Sequence, residues 1–215
     1  MTSTTKKHDD PLVALRSVYE SRKHLIRARL AEFSVVPPSE YFYELVYCLL
    51  TPQSSAEHAE QAVRSLRDEQ FAERGGDPEP LLRNPACYIR FHKTKSRHLL
   101  IAREGFSAMA QAISNVSTPT DLREWLVRTV PGLGYKEATH FLRNIGKNGG
   151  LAILDRHILR NLKRLKVIRT IPTSISRKKY LGIESQFKRF SLRIGIPLDE
   201  LDLVFWSMET GEIRK

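Results

Sequence analysis

Cysteine is nearly missing: Cys48 and Cys87 are the only two in 215 residues. Two cannot supply a disulfide framework, a zinc site built mainly on cysteine, or a four-cysteine iron–sulfur site. The seven histidines never fall into an H-x-x-x-H spacing, so no metal site announces itself and no cofactor is expected. No run approaches the roughly 20 apolar residues that span a bilayer. Met1 to Asp10 is polar and lacks the apolar core of a signal segment, so the chain reads as intracellular, soluble and away from membranes. No alternating pattern is long enough to build a sheet, and there is no repeat and no low-complexity tract. Acidic residues are also short, 24 Asp and Glu against 35 Lys and Arg, which leaves a formal charge of +11. Such an excess is either held near something anionic, most commonly nucleic acid, or tolerated as self-repulsion.

What is present is helical spacing almost throughout. Leu12, Leu15, Val18, Leu25, Ile26 and Phe33 trace one face of a long first helix that begins near Pro11. Pro37-Pro38 stops it, and Ser39 is placed to cap a second helix carrying Phe42, Leu45, Val46 and Leu49. A turn at Thr51-Pro52-Gln53-Ser54-Ser55 precedes a helix on Ala59, Ala62, Val63 and Leu66. Helical spacing from Lys93 to Ile113 is interrupted at Gly105. Thr118-Pro119-Thr120-Asp121 opens a helix through Thr129, and Ala138, Phe141, Leu142 and Ile145 line another that Gly146 is suited to end. After the apolar run Leu151 to Leu154 come three further helices, on Ile158 to Leu165, Tyr180 to Ile194 and Leu198 to Met208. The fold class is all-α.

The segment Val130-Pro131-Gly132-Leu133-Gly134-Tyr135-Lys136 lies between two of these helices. Gly132 and Gly134 permit backbone angles and a closeness of approach that side chains block. The N–H groups opening the second helix lack intrahelical partners and suit a phosphate, aided by the helix dipole. Such a grip positions a protein on a strand and reads no base. The same pattern also makes an ordinary tight turn between antiparallel helices. Lys136 is correspondingly a phosphate contact or a nucleophile. An amine attacks only when neutral, and an ordinary lysine is neutral in fewer than about one molecule in a thousand at pH 7, so a nucleophile needs desolvation or a positive neighbour. Asp155 follows an apolar run and opens a helical pattern. It is an N-cap worth about 1 kcal/mol, or a working carboxylate that stabilises a cationic sugar and helps move a proton.

With the P-G-L-G-Y-K hairpin, the Gly-rich loop Asn148-Gly149-Gly150 and an Asp opening a helix, the chain resembles the helix-hairpin-helix DNA glycosylase superfamily. Within it the chain is similar to the short prokaryotic, archaeal-type 8-oxoguanine DNA glycosylase/AP lyases. Its length, Leu49-Leu50-Thr51-Pro52-Gln53, Arg90-Phe91-His92 and the ending Trp206-x-x-x-Thr210-Gly211-x-x-x-Lys215 carry that likeness. Relatives resembling endonuclease III have a C-terminal four-cysteine loop that is missing here, and eukaryotic-type enzymes for this lesion carry an extra β-rich domain.

The resemblance implies two helical subdomains flanking a cleft. The N-terminal helix (1–36) would pack with a C-terminal subdomain (147–215), and a central subdomain (37–146) would end in the hairpin. It implies a monomer that works on double-stranded DNA containing 8-oxoguanine or abasic sites, in the cytoplasm at the nucleoid. Lys136 and Asp155 are the implied catalytic pair, and Gly132, Gly134, Gln53, Arg90 and Phe91 the implied DNA contacts. A damaged base is flipped out because its sugar carbon is unreachable in the stack, and Phe91 wedges beside the vacated site with Gln53 as a second filler. Phe91 is otherwise a core aromatic. Trp206 stacks on the flipped base or belongs to the core. Lys215 either ends a flexible basic tail or folds back so that its carboxylate meets the N7–H that distinguishes 8-oxoguanine from guanine. Two alternatives stay open: the same chemistry on another oxidised base, and a non-catalytic hairpin module that grips DNA.

Overall fold

The computed structural model describes residues 10–213, and these contain helices and no strand. The chain divides into two compact units, one taking it up to Ser34 and again from Gly150, the other Val35–Gly149.

The central unit is laid around α2 (Tyr41–Leu50), in which every residue from Phe42 to Leu50 is buried. A helix apolar on all sides belongs inside, and α3 (Ala56–Asp68), α6 (His92–Glu104) and α9 (Tyr135–Asn144) pack on it. Its start departs from the sequence expectation. Ser39 sits within a 3₁₀ turn, Pro38–Glu40, and Glu40 precedes the helix without a side-chain cap. Two prolines fix the approach well enough that no cap bond forms. Short helices α4 (Phe71–Arg74) and α5 (Glu79–Leu82) lead toward α6. Gly105 separates α6 from α7 (Phe106–Asn115). Next comes α8 (Pro119–Thr129), opened by Thr118, whose hydroxyl accepts from the Asp121 N–H, with Pro119 in the first turn, as helix starts favour. One buried carboxylate on α2 has a partner on α9, the Asn144 amide donating to Glu44 at 3.0 Å.

The other unit contains α1 (Pro11–Ser34), α10 (Arg156–Arg164), α11 (Arg177–Ile194) and α12 (Leu198–Thr210). Its α1 does not bury the face that spacing alone suggests. Leu15, Tyr19, Ile26 and Phe33 are inside, while Leu25 is 59% exposed. Tyr19 displaces the simple pattern because its hydroxyl reaches Glu200 on α12 at 2.7 Å, where Arg27 also arrives at 3.1 Å. Arg22 donates to the Ser207 carbonyl at 2.7 Å, tying the same two helices again.

The apolar run Leu151 to Leu154 is buried and belongs to no helix or strand. Side chains of α11 satisfy part of its backbone, as buried peptide groups require. Glu184 accepts from the Ala152 N–H at 2.8 Å, and the Tyr180 hydroxyl accepts from Leu154 N–H and donates to Ala152 C=O at 2.6 Å. Two side chains one turn apart on α11 thus anchor the segment that leads to Asp155 at the start of α10.

Candidate active site

The hairpin is built by sequence that cannot be exchanged freely. Gly132 has φ +84, and a Cβ there would lie 2.2 Å from His98 Nδ1, so no side chain fits without moving α6's imidazole. Leu133 turns inward and is buried, plugging the turn. Gly134 precedes α9 in an extended conformation with φ −87 and no side chain to cap the helix. Gly134 thus brings no side-chain cap to α9, whose opening turn presents its backbone N–H groups at the hairpin. The flanking helices are pinned together, with the Tyr135 hydroxyl donating to Glu124 at 2.6 Å and the buried Arg123 guanidinium donating to Thr139 at 3.3 Å and lying over the Tyr135 ring.

Lys136 is the second residue of α9 and is half-buried, its side chain 27% exposed. Glu137 beside it holds a carboxylate oxygen 3.8 Å from Nζ. The sequence reading passed over Glu137, although its position next to Lys136 was visible. At this distance the two charges form an ion pair, longer than a hydrogen bond.

Asp155 caps α10. Its Oδ1 accepts from the backbone N–H groups of His157 and Ile158, both at 2.8 Å. The second oxygen, Oδ2, accepts from the indole N–H of Trp206 at 3.1 Å. Both oxygens are thereby oriented, which a cap alone does not require. Trp206 is held in turn by His157, edge to face at 5.7 Å, and Glu209 accepts from Asn161 at 3.3 Å with His157 Nδ1 at 3.6 Å. Trp206 was expected to stack on a base or join the core; the structure joins it to Asp155.

Gln53, Arg90 and Phe91 come together in the central unit. Gln53 (φ 57) and Phe91 (φ 61) both adopt the left-handed conformation without being glycine, at about 1–2 kcal/mol each. All three are exposed, Phe91 at 50%, so it is not a core aromatic. Behind them lies Lys95, only 6% exposed, donating to Leu50 C=O at 2.6 Å, Pro52 C=O at 2.7 Å and Ser54 Oγ at 3.2 Å. Burial pushes its ammonium down to about 8, with Lys136 adding to the effect and Glu137 opposing it. The sequence reading missed Lys95 because a lysine in the first turn of a basic helix ordinarily points to water. Lys215 lies outside the described residues. Among those described, no three His, Cys, Asp or Glu side chains gather as metal ligands, and no helix is long and apolar enough to cross a membrane.

An all-α chain with a lysine one residue inside a glycine hairpin, and an aspartate oriented through both oxygens at the start of a later helix, has the equipment of a helix-hairpin-helix DNA glycosylase. The chain belongs to the 8-oxoguanine DNA glycosylase family, whose sequence model matches residues 26–196. It is 36% identical over 210 residues to the 8-oxoguanine DNA glycosylase/AP lyase of Fusobacterium nucleatum, covering 94% of this chain and 96% of that one. With the enzyme of the same name from Korarchaeum cryptofilum the identity is 40% over 195 residues, covering 90% and 91%. Among solved structures, the 8-oxoguanine DNA glycosylase of Thermotoga maritima superposes with a TM-score of 0.84 at 30% identity, covering 97% of this chain and 100% of that one. The Methanocaldococcus jannaschii 8-oxoguanine glycosylase/lyase, in complex with a 15mer DNA containing 8-oxoguanine, gives 0.84 at 32%, covering 94% and 100%.

Proposed function

We propose that this protein excises 8-oxoguanine from double-stranded DNA and nicks the resulting abasic site. The observations that carry the reading are a lysine in the first turn after the glycine hairpin and, at the start of α10, an aspartate whose two oxygens are both fixed. The enzymes to which the chain is similar over nine-tenths of its length carry that activity in their names.

In this mechanism the Lys136 amine attacks C1′ of the flipped nucleotide. The glycosidic bond breaks, the base leaves with a proton, and the attacking nitrogen gives up one of its own. Ring opening yields a Schiff base between Lys136 and the sugar. Loss of a C2′ proton then expels the 3′ phosphate oxygen, and hydrolysis of the imine frees the lysine. Asp155 stabilises the positive charge that grows on the sugar and accepts a proton during the exchange. Glu137, 3.8 Å from Nζ, is a second acceptor for the proton that the amine must lose. Gly132, Gly134 and the N–H groups opening α9 hold backbone phosphate. Arg90 sits beside Phe91 as a further cation for the strand, while Phe91 and Gln53 fill the space that the flipped nucleotide leaves. The enzyme would work as a monomer, on chromosomal DNA at the nucleoid.

Borohydride present during reaction with an 8-oxoguanine duplex is expected to trap a covalent protein–DNA adduct. Lys136→Gln abolishes that adduct while DNA binding is largely kept. An adduct of unchanged yield in the variant refutes Lys136 as nucleophile.

A further inference from the structure

Lys95 is a buried charged group that the mechanism leaves unused. An ammonium has three hydrogens to donate, and here three oxygens receive them: Leu50 C=O, Pro52 C=O and Ser54 Oγ. Leu50 ends α2, so its carbonyl has no partner further along the helix, and a cation there meets the negative end of the helix dipole. Ser54 Oγ also accepts from the Arg90 N–H at 3.1 Å. One hydroxyl therefore joins the turn bearing Gln53 to the corner bearing Phe91. The His58 ring meets the Tyr88 carbonyl at 3.1 Å, a second tie between the same two stretches. Gln53 and Phe91 each stand one residue from the groups so joined, both exposed and both left-handed in backbone.

We propose that Lys95 is a positioning residue which, through Ser54, locks Gln53 and Phe91 into one preformed element that enters the duplex as a unit. Left-handed backbone at two non-glycine residues persists only where surroundings over-determine it, and Lys95 with Ser54 supplies that constraint. Ordering both loops in advance removes an entropic cost that insertion would otherwise bear. This rests on the reading that the protein flips a nucleotide from paired DNA.

The test compares single-turnover excision of 8-oxoguanine from a paired duplex and from the same sequence with the lesion in an unpaired bubble, where no vacated stack needs filling. Ser54→Ala is expected to lower the duplex-to-bubble ratio by about tenfold, the effect of one hydrogen bond to a charged group. Ser54→Thr, which keeps the hydroxyl, restores the ratio. Lys95→Met lowers it further, and the serine variants carry the test should that substitution prevent folding. An unchanged ratio in Ser54→Ala, whether both rates fall together or neither falls, overturns the proposal. Insertion is also read without chemistry, by 2-aminopurine placed opposite the lesion, which brightens as its stacking is disturbed. Brightening by the wild-type protein that Ser54→Ala diminishes, without excision, supports the lock and refutes the assigned activity. No brightening by the wild-type protein overturns the lock even where excision proceeds.

Discussion

Gly132→Ala is the sharpest perturbation of the hairpin. The residue sits at φ +84, and the added Cβ would stand 2.2 Å from His98 Nδ1, 2.9 Å from Cε1 and 3.1 Å from Cγ. Left-handed backbone costs an L-residue about 1–2 kcal/mol. The obstructing atoms are ring atoms near the base of the side chain, so the imidazole must swing away as a body, an overpacking cost of typically 1–3 kcal/mol. Together these predict a loss of about 2–5 kcal/mol, read as a lower urea midpoint. Gly134→Ala is the matched control. Its φ of −87 suits any residue, and the new methyl meets only the far end of the flexible Glu137 side chain, at 2.8 Å from Oε2. That substitution should cost under about 1 kcal/mol in stability. Both variants are expected to bind damaged and undamaged duplex more weakly and to the same degree, because the hairpin holds phosphate and reads no base. Equal stability losses at the two glycines, or a neutral Gly132→Ala, would refute the geometric reasoning. Loss of lesion preference alone would refute the phosphate grip.

Trp206→Phe keeps an aromatic ring against His157 but removes the N–H that meets Asp155 Oδ2 at 3.1 Å. A hydrogen bond to a charged group contributes about 1.5–3 kcal/mol, so cleavage of a pre-formed abasic site should slow by roughly ten- to a hundredfold. Wild-type abasic cleavage with slowed 8-oxoguanine excision would instead assign Trp206 to the base. The Lys95 ammonium, lowered from 10.5 to about 8 by burial, opposes folding where it is charged in both states, below about pH 8. Between about 8 and 10.5 the folded chain has released this proton and the unfolded chain has not, so the penalty is relieved as pH rises, by roughly 3 kcal/mol in all. Urea midpoints of wild type and Lys95→Met, compared at pH 7.5, 9 and 10.5, should draw apart in favour of the wild type; a constant difference contradicts the shift.

Local chemistry was legible from the chain alone. Thr118-Pro119 marked the start of α8, Gly105 the break between α6 and α7, and Asp155 the cap of α10, because each acts on backbone groups two to four residues away. The all-α class followed from apolar spacing, and the hairpin with Lys136 from two glycines one residue apart between helical patterns. Membership of the glycosylase family was readable in those same residues, as the likeness to its named members bears out.

Tertiary structure decided what depends on partners far along the chain. The burial of Tyr19 in place of Leu25 turns on Glu200, 181 residues beyond Tyr19. The orientation of Asp155 depends on Trp206, 51 residues later, and its delivery on Tyr180 and Glu184, which hydrogen-bond the backbone of Ala152 and Leu154. Lys95 reads in sequence as one more solvated cation among Lys93 and Arg97, yet folding turns it inward onto oxygens 41 to 45 residues away. Periodicity tells which face of a helix is apolar. It carries no information about which distant oxygen awaits a buried ammonium or indole, since a hydrogen bond is fixed by three-dimensional proximity and not by separation along the chain.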